Sequence, residues 1–222
     1  MCVLASQSTA ETKAQLTWQQ TKSQLTRRSI LQAAVDCFYE LGYANTTTEN
    51  VSSKAGVSRG AMLHHFPSRF DLIRATVEHL NLLRIEMFAR EEAAVNRGAE
   101  HTRIEEGIDS YWQQLNTPTF IVFHELKIAA RTDRELASVI TPAMQNFEGA
   151  WYEAVKDLFP DLALSESFQR ANYLTMYMLE GMAVARFASP TRVPEKLMLN
   201  WLKRELRRSF QDVLNTVKRP QE

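Results

Sequence analysis

Ser58-Arg59-Gly60-Ala61 combines residue types suited to recognising a nucleic acid rather than to making or breaking bonds. The Arg59 guanidinium can bridge O6 and N7 of a guanine or hold a phosphate, and both roles stay open at this point. Gly60 and Ala61 let a helix backbone approach base edges closely, and a methyl group such as that of Ala61 suits a thymine methyl. Thr47 and Thr48 offer hydroxyls and backbone N–H groups that suit a phosphate, with simple capping as the alternative. Ser58 fits both a cap and a contact. Leu63 and His64 lie on or near the outer face of the same segment, Leu63 for apolar base contact or packing, and Arg69 is placed for a further phosphate.

These groups need a scaffold that presents them together. Thr46 as N-cap with Glu49 as capping box predicts a helix from about Thr47 to Ala55. Gly56 stops it, Ser58 caps a second short helix, and Pro67-Ser68 closes the segment. Val51, Ala55, Val57, Met62 and Phe66 fall on the packing side. In a helix-turn-helix the second helix lies in the major groove and presents its first turn to the bases. Arg59, Gly60 and Ala61 occupy that turn.

A wider block resembles the N-terminal domain of TetR-family transcriptional regulators: Ile30-Leu31-Gln32-Ala33-Ala34, Phe38, Leu41-Gly42-Tyr43, Thr46-Thr47, Ala55 to Gly60 and His65-Phe66. It covers roughly residues 24 to 75; the remainder resembles the family only in being helical. The resemblance implies binding to double-stranded DNA, with His65 near the DNA backbone, and a second domain that takes a small inducer. One departure is specific. Where the family usually has Thr-Leu-Tyr after the glycine, this chain has Ala61-Met62-Leu63, so two hydroxyls are missing and the operator should depend more on apolar contact and DNA shape.

The 222 residues suffice for a loosely ordered arm (1–20), a DNA-binding domain (21–75) and a ligand-binding and dimerisation domain (76–222). Lys and Arg number 26 against 26 Asp and Glu, which argues against binding by bulk charge. Cys2 and Cys37 have no metal or disulfide spacing, and Cys37 reads as a small buried hydrophobe. His64 and His65 point about 100° apart on a helix, so no metal site is expected, nor any cofactor. The chain lacks a signal-peptide core and an apolar run approaching the ~20 residues of a membrane span, which gives a cytoplasmic expectation. Glu-x-x-His pairs, a Gly-rich phosphate loop and a nucleophile elbow are missing as well, so no enzyme is expected.

No stretch alternates with period two, and the expected fold class is all-α with about nine helices. Starts are marked at Ser68 with Asp71, Thr117-Pro118, Thr132 with Glu135, Thr141-Pro142 and Pro194. The fourth helix, from about Ser68 to Asn96, would be the mechanical link between domains. Two C-terminal helices, from about Ser165 to Phe187 and Pro194 to Val217, carry apolar residues on two faces. The stripes are Phe168, Ala171, Thr175, Met178, Met182, Ala185 against Tyr173, Tyr177, Glu180, Val184, Phe187, and in the last helix Leu199, Leu202, Leu206, Phe210, Val213 and Val217. One face suits the chain's own core, the other a four-helix interface with a second copy, giving a homodimer on a palindromic operator.

Candidate ligand-binding residues are Met87, Trp112, Phe120, Phe123, His124, Lys127, Phe147, Trp151 and Tyr177, with Glu180 as a further polar group. Core packing is the alternative for most of them. They would suit a hydrophobic or aromatic compound, with Lys127 or Arg131 available to an acidic group. The competing reading of the whole chain is a helical ligand-binding or interaction module whose DNA-binding unit is degenerate.

Overall fold

The structure, a computed structural model, describes the backbone of residues 3–94, 100–160, 162–187 and 194–217, and the side chains of residues 18–90, 93, 103–160, 162–187 and 194–208. Among these residues it is all-helical, with nine helices: α1 Val3–Leu41, α2 Thr48–Lys54, α3 Arg59–His65, α4 Arg69–Ala94, α5 Glu100–Gln114, α6 Pro118–Ala129, α7 Arg134–Leu158, α8 Glu166–Ala185 and α9 Glu195–Val217. They fall into two compact units. The first comprises residues 1–80 with 125–140, and the second residues 81–124 with 141–222.

The segment expected as an N-terminal arm is helical from Val3 and continuous with α1. No proline or glycine interrupts residues 3 to 41, so nothing in the local chemistry breaks the helix before Gly42. Gly42 takes φ +79°, and its N–H bonds the Phe38 carbonyl at 3.0 Å. That is a left-handed stop for which glycine carries no Cβ penalty.

Ile30, Ala33, Ala34 and Cys37 fall at three- and four-residue spacing on α1 and are buried with Val51 of α2, Met62 of α3, Phe66, and Leu72 and Ala75 of α4. Each fully buried aliphatic or aromatic side chain here contributes roughly 1.5–3 kcal/mol relative to exposure. Cys37 is a free, buried thiol whose pKa burial raises, consistent with a packing role. The C-terminal end of α6 and the first turns of α7 also belong to this unit.

The core of the second unit is built from Ile104, Ile108 and Tyr111 of α5, Leu115 just beyond it, Phe168, Met176 and Leu179 of α8, and Leu202 and Leu206 of α9. Ion pairs Glu105–Arg207 and Asp109–Lys203 join α5 to α9 along the edge of that core. The inward face of α8 runs through Phe168, Thr175, Met176, Leu179 and Ala183, so the expected stripe is shifted and Met178 and Met182 are only half-buried. In α9, Leu202 and Leu206 are buried as expected; Phe210, Val213 and Val217 lie outside the described side chains.

Three expected helix starts are corrected by their hydrogen bonds. Thr47, not Thr46, caps α2: its Oγ1 accepts from the Asn50 N–H at 3.2 Å, and Asn50 Oδ1 accepts from the Thr47 N–H at 3.1 Å, so Asn50 replaces Glu49 in the box. Thr46 is buried and donates to the Gly42 carbonyl at 2.8 Å. Asp133, not Thr132, accepts from the Leu136 N–H at 3.0 Å before α7. Thr141-Pro142 begins no helix, because α7 runs straight through Pro142. That proline has no N–H to give the Ser138 carbonyl, but both residues are exposed, where the carbonyl is open to solvent. Ser68 with Asp71, Thr117-Pro118 and Pro194 mark starts as expected; the Ser68 hydroxyl accepts from the Asp71 N–H at 3.0 Å. The expected end of α4 at Asn96 lies outside the described residues.

Candidate nucleic-acid interface and ligand cavity

The turn between α2 and α3 is a complete Schellman motif. The Val57 N–H bonds the Ser52 carbonyl at 3.0 Å and the Gly56 N–H bonds the Ser53 carbonyl at 3.1 Å, around Gly56 at φ +66°. Ser58 Oγ then accepts from the Ala61 N–H at 3.1 Å and starts α3. Met62 and Phe66 anchor this seven-residue helix by burial on the first unit's core.

Anchoring one side fixes what the other presents. Ser58, Arg59, Gly60 and His64 are exposed, Leu63 is 39% exposed, and Ala61 and His65 are half-buried. The first turn of α3 is therefore open, with no Cβ on Gly60 to hold a partner surface away. At the start of α2, Thr48 is half-buried and Thr47 exposed, but the Thr47 hydroxyl already donates to Asn50 Oδ1 at 2.6 Å. Of its two expected roles, capping is visible. Arg69 is exposed, yet its guanidinium lies 5.1 Å over the Tyr43 ring and its Nη2 reaches the Tyr43 carbonyl at 3.4 Å. His65 sits beside Phe66, and its pKa is lowered by burial first and by His64 and Arg27 next. It is thus a neutral donor near pH 7 rather than a cation. His64 and His65 meet edge to face at 5.6 Å, and among the described residues no cluster of metal-ligating side chains is found.

A short, exposed helix capped by serine, held at a fixed angle to a second short helix by a glycine turn, is a helix-turn-helix. Residues 30–76 match the family model described as bacterial regulatory proteins, tetR family. An uncharacterized HTH-type transcriptional regulator of Mycobacterium tuberculosis (strain ATCC 25618 / H37Rv) is 28% identical over 177 residues, 78% of this chain and 88% of its own length. A transcriptional regulator from Rhodococcus sp. Rha1 shares the fold with a TM-score of 0.63 at 16% identity, covering 84% of this chain and 96% of that one. The multidrug binding protein EbrR, solved with imidazole, does so with a TM-score of 0.54 at 22% identity, covering 82% and 88%. Residues 30–76 thus carry the helix-turn-helix of the tetR family, and over most of its length the chain is similar to HTH-type transcriptional regulators.

The second unit contains an apolar cavity of ≈ 90 Å³ whose walls include Phe88, Ile108, Tyr111, Trp151, Phe168 and Leu179. Phe88 stacks on Trp151 with ring centroids 4.7 Å apart, and Tyr111 meets the same indole edge-on at 4.6 Å. Beside it is a space of ≈ 10 Å³ bordered by Arg84, Met87, Tyr111, Phe120 and Phe147. Of the residues expected to bind ligand, Trp151 lines the larger cavity, and Met87, Phe120 and Phe147 the smaller. Phe123 packs on the Arg84 guanidinium, His124 on Phe120, and Trp112 under Arg186. Tyr177 is 62% exposed and lines neither cavity, while Lys127 belongs to the first unit. Arg84, Phe88 and Tyr111 also border these spaces and are not among the expected residues. Arg84 had a legible signal, since it follows buried Val77 and Leu80 at helical spacing and so shares their face.

Among the described residues no helix is long and apolar enough to cross a membrane.

Proposed function

We propose that the chain is a repressor, acting in the cytoplasm, that binds a palindromic operator as a homodimer and leaves it when the second unit takes up a small hydrophobic or aromatic ligand. The observation that carries this reading is the aromatic cavity walled by Phe88, Tyr111, Trp151 and Phe168 in the unit that does not contain the helix-turn-helix. Pockets of this kind, apolar with few polar groups, suit small organic ligands. The fold neighbour EbrR, a multidrug binding protein solved with imidazole, supports the same use.

In this reading the DNA-binding domain covers residues 21–75, and residues 76–222 bind ligand and dimerise. Arg59, Gly60, Ala61 and Leu63 face the bases, while Thr48, Ser58, His64, His65 and Arg69 position the backbone. Thr47 acts by capping α2. The ligand shifts the equilibrium by its differential affinity for the bound and released states. Helix α4 is one unbroken helix whose residues up to Leu80 belong to the first unit and from Asn81 to the second, which makes it a direct covalent link.

The test is selection of a binding site from random-sequence duplexes, followed by release of that site by hydrophobic aromatic compounds in a gel-shift titration. Enrichment of a palindrome that ligand releases supports the proposal. Failure to enrich any sequence at low salt overturns the DNA part and favours a degenerate binding unit; an operator complex indifferent to every compound that binds the protein overturns ligand control.

A further inference from the structure

Arg84 is chemically out of place. It lies on α4 one turn after Leu80, which is fully buried, and its side chain enters the aromatic interior of the second unit. Its guanidinium carbon sits 3.8 Å over the Phe123 ring and 3.9 Å over the Phe147 ring. Two aromatic rings thus crowd the planar cation, whose hydrogen bonds are made in its plane. The residue as a whole keeps some exposure, yet its Nη1 is enclosed and has no hydrogen-bond partner among the described residues. Burial lowers its pKa to about 10, which still leaves it charged at neutral pH.

Glu180 is the acidic group that acts on Arg84 through space, but its Oε1 accepts from the Tyr111 hydroxyl at 3.0 Å. The Arg84 charge is thus partly balanced while its Nη1 N–H groups remain unmet. A buried cation with an unmet donor is costly to the fold, so an incoming acceptor gains that deficit as binding energy. Arg84 and Tyr111 border the same small space, and Tyr111 is also a wall of the larger apolar cavity.

We infer that the ligand of the second unit is an aromatic or apolar carboxylate, its acid group received edge-on by Arg84 and its apolar body lodged against Phe88, Tyr111 and Trp151. This rests on the ligand-control reading and names the chemistry of its ligand. A carboxylate is planar, and its two oxygens match two parallel N–H groups of a guanidinium already packed against two aromatic rings. Its single charge also suits a site that already holds Glu180 better than a phosphate dianion does. Sequence pattern pointed to Lys127 or Arg131 for this role, but both fall in the first unit.

The experiment uses the full chain and arylalkanoates from phenylacetate to 5-phenylpentanoate, each paired with its own neutral amide, in isothermal titration calorimetry. The best acid is expected to bind at least 10-fold more tightly than its amide. In Arg84→Met that preference should fall below 3-fold, with circular dichroism reporting the fold. Arg84→Lys keeps the charge without the planar fork, and should lose at least 5-fold in acid affinity even if the Met variant does not fold. An amide that binds as well as its acid, an Arg84→Met protein that keeps the preference, or a series in which no acid binds overturns the inference. Operator release is read separately by gel shift. An acid that binds through Arg84 but leaves the operator complex intact upholds the site and overturns ligand control.

Discussion

The Tyr43 hydroxyl donates to Asp133 Oδ2 at 2.7 Å, joining the residue just past the glycine stop of α1 to the residue that caps α7. The Tyr43 N–H donates to Glu125 Oε1 of α6 at 2.6 Å, and Arg69 of α4 covers the ring. A single tyrosine thus gathers the end of α1, α4, α6 and α7 within the first unit, which is why residues 125–140 belong with the helix-turn-helix rather than with their neighbours in sequence.

Tyr43→Phe is therefore expected to lower stability by about 1 kcal/mol in urea unfolding at pH 7, the usual worth of one such hydrogen bond. The pH dependence has a definite sign. Asp133 is lowered from its ordinary 3.8, first by the Leu136 N–H and then by the Tyr43 hydroxyl, so its contribution is complete above that value and is lost as pH falls through the folded value. Tyr43 is raised from 10.0 by burial first and Asp133 next, so its contribution is present below 10.0 and is lost as pH rises through the folded value. The stability gap between wild type and Tyr43→Phe should be widest between these limits and shrink at both ends. A gap unchanged from pH 7 down to pH 3 would show that the hydroxyl is not bonded to an ionised carboxylate.

Gly42 and Gly56 make a controlled pair. Both have positive φ, +79° and +66°, so alanine at either is strained by about 1–2 kcal/mol. They differ in space. A Cβ on Gly42 would stand 3.0 Å from Glu125 Oε1, an oxygen held by the Tyr43 N–H, whereas a Cβ on Gly56 meets nothing within 4 Å. Gly42→Ala should be the more damaging in thermal unfolding, and Glu125→Ala in the same chain should remove much of the difference. Equal losses at the two glycines would mean that Glu125 yields freely.

The local reading of the recognition segment was accurate where a side chain caps its own helix, as at Ser58 and Ser68, because such signals depend on a few neighbouring residues. It slipped by one where two candidate caps are adjacent. Thr46 and Thr47 are both good N-caps, and the choice was made by burial of Thr46 and by Asn50, neither of which is encoded in a Glu-based capping-box pattern. Pro142 misled for a different reason: a proline deep in a helix is disfavoured, and only the open surface at Ser138 makes it tolerable. Arg84 was legible from its position, at helical spacing after the buried Val77 and Leu80, but its type pointed the other way. Arginine on a long helix reads as solvent-facing, and only Phe123 and Phe147, distant in sequence, turn it into an interior cation.

Arg59→Ala should cost about 1–3 kcal/mol in binding to the selected operator if the guanidinium reads a guanine, and should relax preference at a single base position. Gel-shift titrations against the operator and its single-base variants check this. A uniform loss across all variants, with a shallower salt dependence, would assign Arg59 to a phosphate instead.

Apolar exposure on the last two helices supports the dimer reading and gives it a sharp test. Leu174 is 68% exposed and Tyr177 62% on α8, and Leu197 is 60% and Trp201 46% on α9, although the opposite faces of both helices are buried in the second unit's core. Scattered exposed apolar residues are ordinary, but four large ones on two helices that pack together suit an isologous interface. Trp201→Glu places a charge where that interface would exclude water. Because the side chain is already substantially exposed in the single chain, the substitution should leave helicity and monomer stability nearly unchanged. In size-exclusion chromatography with light scattering the wild type is expected as a dimer at micromolar concentration and Trp201→Glu as a monomer, with operator binding lost in parallel because a lone helix-turn-helix engages one half-site. A variant that stays dimeric removes Trp201 from the interface, and a wild type that is monomeric removes the interface altogether.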